Sequence, residues 1–183
     1  MNNFILLVFA LLTLSMSTNQ PLTNATLENI KEERPITFKE FSVNHEDYTI
    51  HFSLEKGADE QHILIVSMEL HNDSYYVSPN SKRDFKGKFR GDFGTSESIE
   101  FYGDFVETPL SAEEFDPHPF VRGTINWVRE DTTYKQRLLL KTQENFQVYG
   151  RIIFTIEPRC TLEQIPFSIV YDDGELVFVE VKC

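Results

Sequence analysis

The chain has 183 residues, 40% of them hydrophobic, and a formal net charge of -12 at pH 7. So acidic a surface repels a phosphate backbone, and no basic cluster is longer than Lys82-Arg83, which excludes nucleic acid as the main partner. Beyond the N-terminal apolar run, no segment reaches the roughly 20 apolar residues that a membrane-spanning helix takes.

In chain order, residues 1–17 (MNNFILLVFALLTLSMS) hold an apolar run from Phe4 to Leu14, followed by small and polar residues. That is the length of a signal-peptide core, with Ser15 and Ser17 placing a cut before Thr18. The expectation is an exported, periplasmic or extracellular protein with no transmembrane segment after signal removal. Residues 18–34 are polar, without strand alternation, and read as a linker. Residues 35–183 read as one domain.

Within that domain Phe38, Phe41 and Val43 open a strand-like stretch. Tyr48, Ile50, Phe52 and Leu54 then alternate with polar residues, a period of two that puts the apolar side chains on one face. Lys56 to Asp59 reads as a turn, His62 to Leu70 as a strand covered on both faces, and Asn72-Asp73-Ser74 as a second turn before Tyr75-Tyr76-Val77. Further strands are expected at Phe85–Phe89, Ser98–Phe105, Gly123–Val128, Thr133–Lys141 and Phe146–Ile156. Pro109 to Pro119 reads as a long loop with one helical turn at Ser111 to Phe115. Ile165–Tyr171 and Glu175–Lys182 flank Asp172-Asp173-Gly174, a hairpin signal because Asp-Gly tolerates positive φ. No sustained 3.6-residue period follows the first run, so the expected fold is an all-β, antiparallel β-sandwich.

The five histidines lack the tight spacing of a zinc motif, so no metal site is expected. No phosphate-cradling glycine loop and no G-x-S-x-G elbow occur, and no cofactor is expected. Glu113, Glu114 and Asp116 read as a solvated charge run rather than a pair of hydrolytic carboxylates. Tyr75-Tyr76 and Phe101-Tyr102 are consecutive aromatics, so along a strand one member of each pair faces away from the core. Whether the chain is an enzyme stays open, as does its oligomeric state.

Four stretches carry a resemblance: Tyr75-Tyr76-Val77-Ser78-Pro79, Phe101 to Pro109, Thr133 to Gln136, and Val148-Tyr149-Gly150 to Phe167, which includes Cys160. In order and spacing they resemble the N-terminal periplasmic domain of the thiol–disulfide interchange protein DsbD, an immunoglobulin-like domain that passes electrons to disulfide-handling proteins. The resemblance implies a protein-interaction module whose partner is a thiol–disulfide oxidoreductase. Cys160 would be the contact sulfur, Cys183 its resolving partner, Arg159 its electrostatic neighbour, and Tyr75 and Tyr76 a cap over the cysteine loop. The sequence departs from the family at the first cysteine, where Thr155 or a neighbour stands, and at the proline pair, replaced by Thr161-Leu162.

Counting back from a turn at Asp172–Gly174 puts Cys183 opposite about residue 163, a few positions from Cys160. A bond there would close a loop of about 24 residues and stabilise by roughly 3 kcal/mol in the chain-entropy picture. Three readings stand at this point: a structural staple in a non-redox binding domain of the cell envelope, a redox-active pair, and two thiols not bonded to each other.

Overall fold

The computed structural model describes residues 36–57 and 61–181. The expected signal segment, the linker and Cys183 lie outside the described residues. Among those residues thirteen strands pair antiparallel in three sheets, with no helix. The architecture is the all-β, antiparallel sandwich that the alternation predicts.

One layer is built from β2 (Glu40–Asn44), β3 (Tyr48–Lys56), β4 (His62–Leu70), β10 (Thr132–Leu140) and β7 (Ile99–Thr108), in that order across the sheet. The facing layer runs β1 (Thr37–Phe38), β13 (Glu175–Val179), β12 (Thr161–Asp172), β11 (Phe146–Ile156), β6 (Arg90–Asp92). A small sheet of β5 (Tyr76–Val77), β9 (Gly123–Val128) and β8 (Glu113–Asp116) closes one end.

Alternation decides which side chains meet between the layers. Tyr48, Ile50 and Phe52 of β3 and Leu64, Val66 and Met68 of β4 point inward; so do Ile152 and Phe154 of β11, Phe167 and Ile169 of β12, and Phe178 of β13. Aromatic rings bridge the gap: Tyr48 to Phe154 at 5.1 Å, Phe52 to Phe167 at 5.4 Å and Phe41 to Phe178 at 5.0 Å between centroids. Each such pair adds about 1 kcal/mol beyond its area of burial. The surplus of aromatics is therefore mostly core. Gly150 makes room for this packing, since a Cβ there would lie 2.6 Å from the Phe167 ring and 3.1 Å from Phe93.

Two polar side chains inside the sandwich are hydrogen-bonded. Gln136 occupies a core-facing position on β10 and donates through Nε2 to the carbonyls of Tyr102 and Gly103, both at 2.9 Å, where β7 bulges between the partners of Lys135 and Arg137. Glu107 is buried at the end of β7. It accepts from Ser78 Oγ, from Asn80 Nδ2 at 2.5 Å, and from the Ser111 amide and hydroxyl at 3.1 and 2.5 Å. A buried carboxylate needs such donors, because desolvation of an unpaired charge costs several kcal/mol.

The structure corrects four boundaries. The strand expected at Phe85–Phe89 lies at Arg90–Asp92, and Phe89 is instead a core ring stacked on Tyr134 at 4.1 Å. The Pro109–Pro119 stretch holds no helical turn; Glu113–Asp116 is a strand on β9, because its length allows a return along the sheet edge. β12 begins at Thr161, four residues before the expected Ile165, as partner to the long β11. Asp172 pairs with Glu175, so the turn is Asp173-Gly174, both at positive φ, and the register runs one residue off the count made from sequence.

Candidate functional site

Three connections gather at one end of the sandwich. The β2–β3 turn supplies His45, Glu46 and Asp47; the β4–β5 connection supplies Asn72 and Asp73; and the β11–β12 turn supplies Pro158, Arg159 and Cys160. Backbone bonds lock them together. Tyr75 and Glu157 exchange amide-to-carbonyl bonds of 3.1 and 2.8 Å. The Asp47 carbonyl accepts from the His71 amide at 2.9 Å and from Ser74 Oγ at 2.6 Å, and the Glu46 carbonyl accepts from Asn72 Nδ2 at 2.8 Å.

Cys160 is exposed, at φ 57°, and bonds to no other cysteine among the described residues. That left-handed conformation costs a residue with a Cβ about 1–2 kcal/mol, and glycine is the residue that adopts it without strain. Among the described residues it is the only cysteine. The turn that contains it is pinned at its base, since Ile156 pairs with Thr161 and Glu157 with Tyr75.

Arg159 is held by everything around it. Its Nη2 donates to Glu163 Oε1 at 2.8 Å, its Nε lies 3.2 Å from Asp47 Oδ2, and its Nη1 lies 3.9 Å from Glu46 and 3.2 Å from His45 Nε2. Asp47 Oδ2 makes no aligned hydrogen bond, so its contact with Arg159 is an ion pair in a half-buried setting. Glu163 also accepts from the Tyr48 hydroxyl at 3.1 Å. Burial, and then the charge of Glu163, push the Tyr48 phenol well above its ordinary range. The donor atoms of His45, Glu46 and Asp47 fall within 4.8 Å of one another, a spacing that could hold a cation. The Arg159 guanidinium already fills that role, so the cluster is an ion-pair knot.

Beside the turn lies an aromatic patch. Tyr75 packs edge-on against Trp127 at 4.9 Å, and the Arg129 guanidinium stacks over Tyr75 at 4.3 Å while pairing with Glu114 at 3.2 Å. Trp127 Nε1 donates to Asp116 Oδ2 at 3.0 Å. The His118 amide, and then Trp127, hold the Asp116 carboxyl below the usual carboxylate range. Glu113 pairs separately with Lys82 at 3.2 Å, so the acidic stretch is three individually partnered charges.

Of the residues singled out from sequence, the structure brings Arg159, Cys160 and Tyr75 to this end. Tyr76 is a correction: it is 0% exposed, and its hydroxyl meets that of Tyr134 at 2.9 Å inside the core, so it offers no cap or surface. The physical reason is alternation, which turns Tyr76 inward once Tyr75 bridges Glu157 on the outside. Thr155 packs against Gly87 and pairs with Leu162. His45, Asp47 and Glu163 were not foreseen. Only Glu163 has a local signal, four residues from Arg159; the other two reach the turn from more than a hundred residues away.

No family model matches the chain, and no curated protein does. Among solved structures the chain is similar to the GAE domain of GGA2p from Saccharomyces cerevisiae, at 8% identity over 73% of this chain and 98% of that one, with a TM-score of 0.39.

Proposed function

We propose that the chain is an exported protein-interaction domain of the thiol–disulfide interchange type, and that the Cys160 end is the surface its partner meets. The observation that carries this reading is an exposed cysteine held at positive φ in a turn fixed from three sides. A strained residue kept where glycine fits better is the pattern of a functional position. The Tyr75–Trp127–Arg129 patch next to it supports docking, since aromatic and arginine side chains are those that anchor interfaces. Glu46, Asp47, Glu157 and Glu163 around the single cation Arg159 leave the turn acidic, which favours a partner with a basic rim.

The same end also fits a binding module without redox chemistry. The missing second cysteine beside Cys160 favours that alternative, with a Cys160–Cys183 bond then serving only as a staple. The test uses an exported-type oxidoreductase of thioredoxin fold whose resolving cysteine has been replaced. Accumulation of a mixed disulfide to Cys160 supports interchange; its absence, with Cys160 bonded to Cys183 and unreactive until strongly reduced, supports the plain binding module.

A further inference from the structure

The outward face of the first sheet carries a second, separate cluster, assembled from three neighbouring strands. Ser42 of β2 is opposite His51 of β3, His51 is opposite Ser67 of β4, and Glu69 is the next outward position along β4. Ser42 Oγ lies 2.6 Å from His51 Nδ1, and His51 Nε2 lies 3.2 Å from Glu69 Oε1. The second contact is close but off-line, for Nε2 is shielded from solvent and makes no aligned hydrogen bond. A carboxylate at Nε2 favours the tautomer with its hydrogen there, which leaves Nδ1 to accept from the Ser42 hydroxyl. The three residues line a shallow groove of about 620 Å³ together with Glu40, Ser53 and Ser67.

We propose that Ser42, His51 and Glu69 form a nucleophilic site that hydrolyses small activated esters. A serine, a base in contact with it and a carboxylate behind the base are recognised by geometry and role, whatever their order in the chain. His51 Nδ1 takes the hydroxyl proton as Oγ bonds to the ester carbonyl carbon and the carbonyl electron pair moves onto oxygen. When the tetrahedral adduct collapses, the bond to the alcohol oxygen breaks and that oxygen takes the proton from Nδ1. A water molecule repeats the sequence on the acyl-serine, releasing the acid and restoring Ser42.

The ladder supplies the oxyanion donor. His45 N donates to Tyr48 O and Leu54 N to Lys39 O, and alternation from those two bonds makes Ser42 and His51 a non-hydrogen-bonded pair. The Ser42 amide therefore points away from β3, and β2 is the edge of its sheet, so the ladder leaves that N–H for a developing oxyanion. Glu40 and Glu69 on the rim disfavour anionic acyl groups and leave neutral or cationic short-chain esters as the substrate class.

The test treats the full chain with a fluorophosphonate probe and, in parallel, with p-nitrophenyl acetate. The expected result is a single covalent label on Ser42 by peptide mass, none in Ser42→Ala, and a rate at least about tenfold lower in His51→Ala. Glu69 is a positioning residue, so Glu69→Gln should slow labelling several-fold and Glu69→Asp should restore part of it. All three side chains lie on the sheet surface, and unchanged melting temperatures in the same variants confirm folding. No label on Ser42, a label on another serine, or equal rates in His51→Ala would overturn the assignment.

Discussion

Arg159 Nη2 donates to Glu163 Oε1 at 2.8 Å, an i,i+4 pair whose two members stand on either side of Cys160. The pair ties the start of β12 to the turn, and Asp47 and His45 tie the same guanidinium to the β2–β3 hairpin. The turn that presents the thiol is thus fixed by charge from a neighbouring hairpin as well as by its own strand ladder.

Arg159→Ala removes that tie and leaves Asp47, whose side chain is only 16% exposed, without its cation. With Arg159 itself 35% exposed, solvent screens much of the interaction, and the expected loss is about 1 kcal/mol. Chemical denaturation measures it. Glu46→Gln, farther from the guanidinium and more exposed, should change stability by less than half as much.

The backbone at Cys160 makes its own prediction. Cys160→Gly relieves the positive-φ strain and should leave stability unchanged or raised by up to about 1 kcal/mol, against the usual cost of glycine. Cys160→Val, β-branched at the same φ, should destabilise by about 1–2 kcal/mol. Equal midpoints for the two variants would contradict the strained turn.

Glu107→Ala takes the acceptor away from Ser78, Asn80 and Ser111 at once. Ser78 is buried, and its hydroxyl left unpaired costs about 1–3 kcal/mol, whereas exposed Asn80 and half-buried Ser111 turn to water, so a loss of about 2 kcal/mol is expected in urea unfolding. Glu107→Gln keeps an acceptor and should lose less.

Burial raises the phenol pKa of Tyr48, Tyr76 and Tyr134 far above the ordinary value near 10. A group whose folded pKa is raised contributes stability that is fully present below the unfolded pKa and is lost as pH rises beyond it. Stability should therefore be insensitive to these groups below pH 10 and fall steeply above it, by about 1.4 kcal/mol per pH unit for each phenol. Tyr134→Phe should lose about 1 kcal/mol at neutral pH with the hydroxyl pair, yet show a shallower alkaline slope. Equilibrium denaturation from pH 8 to 11 reads both effects.

Much of the sandwich was legible because strands write themselves as alternation. Tyr48-Ile50-Phe52 and the Asp-Gly turn before Glu175 are local patterns, and both sit where expected, with the turn one residue tighter. β6 and β8 were not legible at their true positions. Each is a short edge strand, defined by pairing with β11 or β9 rather than by its own residues. The same reason separates Tyr75 from Tyr76: sequence says that one faces out, and only the Glu157 bridge says which. The knot around Arg159 depends on His45 and Asp47 from a distant hairpin, and the chain of contacts from Ser42 to His51 to Glu69 depends on the pairing of three strands. Neither leaves a spacing that a reader of the chain could use.

The proposed role of Cys160, as a contact sulfur for thiol–disulfide interchange, turns on the redox behaviour of its thiol. The most direct measurement is mass spectrometry of the full chain, alkylated with and without prior reduction after equilibration across a graded glutathione buffer. The account predicts that Cys160 changes state near the potential of the buffer itself, by bonding to Cys183 or to glutathione. A Cys160–Cys183 bond that opens only under strong reductant, or a thiol that stays free at every potential, would contradict it.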